Sequence, residues 1–195
     1  MLPVVLIGFM GAGKSSVGQA LGELLGWPFE DLDARIELRE GRKVPEIFRD
    51  SGEAAFRWAE QAALRELLGE FGDGTRRILA LGGGAFAQRQ NARLIAGSGV
   101  PSVFLDADVM ELWQRCVEQA EQDGIERPLL GSLENFRKLY AARRPHYLKA
   151  SFRQPTGGKT VKQIAAEVAQ ALGLKRSRTK RRKEKRREKR RGEKR

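Results

Sequence analysis

With 195 residues, 41% of them hydrophobic, the chain is large enough for one domain with a substantial core and leaves little room for a second. No run approaches the roughly 18 apolar residues of a membrane span, and the opening residues lack the basic segment and cleavage site of a secretory leader. A single cysteine excludes an intramolecular disulfide and points to a reducing cytoplasm, while the net charge of +12 is confined to one end: Lys175–Arg195 carries 15 Lys or Arg and 3 Glu, and residues 1–174 carry 22 of each sign.

Leu2–Ile7 is short and almost wholly apolar, the pattern of a parallel strand buried on both faces. GFMGAGKSS follows at once, from Gly8 to Ser16, and fits G-x-x-x-x-G-K-[ST]. Its glycines allow a tight turn whose consecutive N–H groups, Gly11, Ala12, Gly13, Lys14, Ser15 and Ser16, can cradle phosphate oxygens. Lys14 adds a positive charge for the β- and γ-phosphates, and Ser15 offers a hydroxyl to Mg²⁺. A helix over 14–26, with Val17, Leu21, Leu24 and Leu25 on one face, aims its positive end at the anion. The context predicts a purine nucleotide with Mg²⁺.

A weak strand at Pro28–Glu30 leads into EDLDARIE. Asp31 and Asp33 could divide labour beside a phosphate site, one toward hydrated Mg²⁺ and one toward a substrate hydroxyl; an acidic helix cap accounts for them equally well. Helices are predicted over 34–40 and 53–69. The second contains GEAAFRWAE, where Arg57 reads either as a ligand group or as a surface partner of Glu60. After a strand at Arg77–Leu81 come Gly82, Gly83 and Gly84, more glycine than a turn requires, which suggests a backbone that a ligand approaches closely. A helix over 87–97, a strand at Val100–Leu105 and a helix over 108–122 follow; Cys116 sits there beside Leu112 and Trp113, as a buried structural thiol would. ERPLL and ARRPHY then supply Arg127 and Arg143 near prolines that fix local geometry. A helix over 132–149, a strand at Ser151–Gln154 and a helix over 160–173 complete the body. Thr160 and Gln163 form a capping-box pair in that last helix. Alternating strands and helices imply an α/β fold with ligands at the carboxyl ends of a parallel sheet.

GFMGAGKSS, DLD, GEAAFR, GGG, RPLL and RRPHY stand in the order and near the spacings of the shikimate kinases, and the chain resembles that family over about residues 3–173. The resemblance implies a P-loop three-layer α/β sandwich of the nucleoside-monophosphate-kinase type, with a five-stranded parallel sheet. It also implies a small substrate-binding subdomain, here about 31–60, and a mobile lid, here about 117–131. The implied reaction moves the γ-phosphoryl of ATP to the 3-hydroxyl of shikimate, on the way to chorismate and the aromatic amino acids. Asp33 matches the aspartate that holds the acceptor hydroxyls and is the candidate base; Asp31 matches the one reaching Mg²⁺ through water. Arg57 and Arg143 match the clamp on the shikimate carboxylate, with Gly82, Gly83 and Gly84 lining that pocket. Arg127 matches the lid arginine that meets the phosphates and Arg115 the arginine against adenine; Lys159, after the short last strand with its Pro155, matches no motif position and is added as a further candidate nucleotide contact. A monomer is expected.

CVEQAEQDGIE, between Arg115 and Arg127, is longer and more acidic than the family pattern, so the lid is expected to differ there. A sibling kinase acting on gluconate or a nucleotide is the nearest alternative. An ATPase working on nucleic acid through its tail is the remote one, and the neutral body argues against it. The kinase domain is placed at 1–174. The tail, 175–195, has no apolar residue with which to offset ordering entropy and is expected to be disordered; its alternatives are a solvated extension or a salt-sensitive contact to RNA or another polyanion.

Overall fold

The computed structural model describes residues 3–70, 76–123 and 131–176. Five strands, β1 (Val4–Ile7), β2 (Phe29–Asp31), β3 (Ile78–Ala80), β4 (Ser102–Asp106) and β5 (Phe152–Pro155), form one sheet in the order β2-β3-β1-β4-β5. Every pairing is parallel. β1, β3 and β4 are buried along their whole length, as an apolar strand covered on both faces must be. Among the described residues seven α-helices supply the cover: α1 (Lys14–Leu25), α2 (Leu32–Glu40), α3 (Val44–Glu70), α4 (Arg89–Gly97), α5 (Val109–Asp123), α6 (Leu133–Tyr147) and α7 (Val161–Ala171). α1 packs on α7, α2 on α3, α3 on α4, and α5 on α6.

The expected alternation is therefore present, with two departures. The stretch before residue 53, expected to be irregular, is helical from Val44; Gly52 takes φ 76° and ψ 174° and splits α3 into two rods at a kink. The first rod shows no apolar period in the sequence because it is short and faces the core chiefly through Ile47. Second, α2 begins at Leu32, so Asp33 belongs to a helix's first turn instead of a strand end. The helix predicted over 108–122 is α5, so residues 117–123 of the expected lid are helical. Positions 124–130 lie outside the described residues, and so do 177–195 of the tail. Thr160 and Gln163 form the anticipated capping box.

β1 ends between β3 and β4, in the interior of the sheet, and its exit is held tightly. A Cβ on Gly8 would stand 2.9 Å from the Leu105 carbonyl oxygen of β4. One on Gly11 would stand 2.7 Å from the Leu112 carbonyl and 2.8 Å from Sγ of buried Cys116. Phe9, fully buried, meets Phe136 and Tyr140 of α6 edge-on at 5.0 and 5.4 Å, and Phe136 meets Trp113 of α5 at 5.2 Å. This aromatic cluster fixes α6 against the loop after β1, which decides where Arg143 can point.

Candidate active site

The loop after β1 leads into α1, whose N-cap is Gly13 at φ 80° and ψ 22°, so its free amides face the carboxyl edge of the sheet. Lys14 donates from Nζ to the Phe9 carbonyl at 2.9 Å, folding its ammonium back over the loop. Burial lowers its pKa to about 8, against the pull of the Asp33 and Asp31 carboxylates. Ser15 donates to Asp31 at 2.8 Å, which brings the two candidate Mg²⁺ ligands together across α1 and β2. Asp31 also caps α2 by accepting from the Asp33 amide at 3.0 Å. The cap reading of Asp31 is therefore present, and it leaves the oxygen that accepts from Ser15 on the side of the phosphate loop. A serine hydroxyl beside one carboxylate is the hard-oxygen pair that suits Mg²⁺, an ion that takes one or two protein ligands and fills its shell with water and phosphate.

Asp33 points the other way, toward the glycine triplet. A Cβ on Gly82 would stand 2.7 Å from its Oδ1, and that oxygen is buried without a hydrogen-bond partner among the described residues. Burial, reinforced by Asp31, raises the Asp33 pKa to about 6, with Lys14 opposing. A buried carboxylate oxygen beside the phosphate loop, with no donor among the described residues, has the chemistry to accept a hydrogen bond from a hydroxyl.

Two guanidinium groups converge on Gly84. A Cβ there would stand 3.0 and 3.1 Å from Nη2 and Nη1 of Arg57 and 3.4 Å from Nη2 of Arg143. Arg57 is held by Glu60 at 3.1 Å and by Glu53 at 3.1 Å, so it does pair with Glu60 as a surface arginine would. Yet the pair is internal: Glu60 is 1% exposed and Arg57 20%. Glu60 also accepts from Asn91 of α4, which donates to the Ala85 carbonyl as well. Arg143, by contrast, has no carboxylate partner among the described residues; its guanidinium lies 5.8 Å from the centre of the Phe9 ring. Two cations side by side, one of them unneutralised, define a place for a carboxylate.

Arg115 of α5 reaches the Gly11 carbonyl at 3.4 Å and pairs with Glu111 at 2.5 Å. Glu111 in turn faces Gly157 of the loop before α7, so α5 and that loop form the two walls beside the phosphate loop. Lys159 lies in the same loop and is engaged by Glu167 of α7 at 2.6 Å. Arg127 lies outside the described residues. Gly82, Gly83 and Gly84 need their lack of a side chain mainly because Asp33, Met10, Arg57 and Arg143 press against them. Glu53 was readable from its i, i+4 spacing to Arg57, but Asn91 and Phe9 carried no local signal.

A sheet switched at β1, a phosphate-binding loop and a paired acceptor cleft define a P-loop phosphotransferase. Comparison with known proteins narrows the class. The shikimate kinase family model matches residues 10–173. The shikimate kinase of Ruegeria pomeroyi is 40% identical over 177 residues, covering 89% of this chain and 86% of that protein. The shikimate kinase of Thermus thermophilus is 39% identical over 175 residues, covering 87% and 89%. A solved shikimate kinase of Acinetobacter baumannii in complex with shikimate superposes with a TM-score of 0.78 at 33% identity, covering 88% of this chain and 93% of that one. The chain belongs to the shikimate kinase family.

Proposed function

We propose that this chain transfers the γ-phosphoryl group of ATP to the 3-hydroxyl of shikimate, giving shikimate 3-phosphate and ADP, as part of chorismate biosynthesis. The observation that carries the reading is the convergence of Arg57 and Arg143 on Gly84 beside the unpartnered Asp33 oxygen. Shikimate is a small ring with one carboxylate and three hydroxyls, and a cleft with two guanidinium groups at one end and a carboxylate at the other matches it. Asp33 accepts a hydrogen bond from the hydroxyl and takes its proton as the new P–O bond forms. The bond from the γ-phosphorus to the bridging oxygen breaks, and ADP leaves with that oxygen. Little deprotonation is needed in advance, because the transition state of phosphoryl transfer is loose. Lys14, assisted by Arg127, offsets the negative charge on the transferred group. Gly11 to Ser16 hold the phosphates through their amides, and Arg115 and Lys159 border the base. Mg²⁺, when bound by Ser15 and through water by Asp31, would neutralise the phosphates. The part of the chain around residues 117–131 is proposed to close over the site and keep water from the phosphoryl group.

The kinase body works as a monomer in this reading, and the basic tail makes a separate, salt-sensitive contact with RNA or another polyanion. Its support is the charge pattern alone: fifteen cations and no apolar residue, on a body of zero net charge. An ADP-release assay with shikimate, gluconate and AMP side by side tests the acceptor. Turnover only with shikimate is expected; equal or better turnover with gluconate would replace this reading by the sibling one.

A further inference from the structure

Tyr147 closes α6 and is fully buried, with its ring 5.3 Å from that of Phe104 on β4 at an interplanar angle of 34°. A phenylalanine would meet that packing demand; the hydroxyl is extra, and a hydroxyl in a core costs stability unless it is bonded. It donates to the carbonyl oxygen of Gly83. The guanidinium of Arg143, one helical turn back in α6, places a positive charge near the same phenol. Burial lifts the phenol to about 12, so the hydroxyl stays protonated, a donor, at neutral pH.

Gly83 is the middle of the triplet and lies against the phosphate loop: a Cβ on it would stand 3.3 Å from the Met10 amide nitrogen and 3.8 Å from the Phe9 carbonyl carbon. Its neighbours Gly82 and Gly84 carry the contacts to Asp33, Arg57 and Arg143. One hydroxyl therefore holds the peptide where the donor loop and the acceptor cleft share a wall. Pro145 stands between Arg143 and Tyr147, removes one backbone hydrogen bond of α6 and leaves this turn more dependent on side-chain anchors.

We propose that the Tyr147 hydroxyl is a positioning group for the acceptor: through the Gly83 carbonyl and Arg143 it sets the spacing of the carboxylate clamp from Asp33, without touching substrate. This rests on shikimate being the acceptor. The test is steady-state kinetics of the full chain bearing Tyr147→Phe, with both substrates varied. The KM for shikimate is expected to rise about 5- to 20-fold, with kcat and the KM for ATP within about twofold of the parent, since what is lost is binding made equally in ground and transition states. An unchanged shikimate KM, or equal rises for both substrates, overturns it. Phe104→Leu keeps the hydroxyl and thins the ring contact; it is expected to lower the melting temperature and leave the shikimate KM alone. If it raises that KM as much as Tyr147→Phe, packing is the cause and the proposal fails. Failure of Tyr147→Phe to fold also overturns it, because the hydroxyl would then serve the fold. A parent chain that does not phosphorylate shikimate would instead overturn the function, and the two failures are told apart by that control.

Discussion

Replacing Gly82 by alanine probes the acceptor site with a single methyl group. Gly82 does not occupy the left-handed region, so alanine can take its backbone without strain. The new Cβ would stand 2.7 Å from Oδ1 of Asp33, 3.3 Å from Oδ2 and 3.4 Å from Cγ. To restore ordinary contact the carboxylate must retreat by about 0.7 Å, a displacement of the size that costs one to two orders of magnitude in rate when it moves a reacting group. Asp33 is a terminal group with an unpartnered oxygen, so it yields more easily than the strand end that carries Gly82. The expected result is kcat/KM for shikimate about 10- to 100-fold lower, with the KM for ATP and the melting temperature nearly unchanged. Coupled ADP release with each substrate varied, together with a thermal melt, reads all three. Kinetics within twofold of the parent would refute the reasoning, since Asp33 would then not be what the triplet makes room for.

Other outcomes follow from the same geometry. The kcat/KM profile should be bell-shaped, falling below about pH 6 as Asp33 gains its proton and above about pH 8 as Lys14 loses its own; Asp33→Asn removes one carboxylate that holds the Lys14 proton, so nucleotide affinity in that variant should fall from a lower pH. Arg143→Ala should raise the shikimate KM by roughly 10- to 100-fold with little loss of stability, as no carboxylate is stranded. Arg57→Ala should do the same and also destabilise the fold by on the order of 3 kcal/mol, because buried Glu60 loses its cation; equal melting temperatures for the two variants would contradict the pairing. Deleting Lys175–Arg195 should leave turnover intact at moderate salt and abolish retention on heparin or RNA; a large loss of activity would contradict a modular tail.

The sheet, the phosphate loop and the nearness of Asp33, Arg57 and Arg143 to the glycine triplet were legible in the sequence because each leaves a local mark. β1 is an unbroken apolar run, the loop is a contiguous motif, and Arg57 and Arg143 lie in recognisable hexapeptides. Two things were not legible there. The rod at the start of α3 is too short to show a period, and only the left-handed Gly52 marks its end. The partners that place the ligand groups are distant in sequence: Glu60 with Asn91, Phe9 with Phe136, Tyr147 with Gly83. Such pairs are chosen by packing, and no spacing announces them. Asp31 shows a different case: the cap that its spacing to Asp33 offered is present on one oxygen, while the other accepts from Ser15.

The central claim is that the cleft between Asp33 and the two arginines sets one shikimate hydroxyl against the γ-phosphate. Proton-coupled phosphorus NMR of the product made from ATP and shikimate tests it most directly. A single phosphate ester coupled to the proton at carbon 3 is the result expected. An ester at another hydroxyl, a mixture of esters, or ADP formed with free phosphate alone would contradict the account.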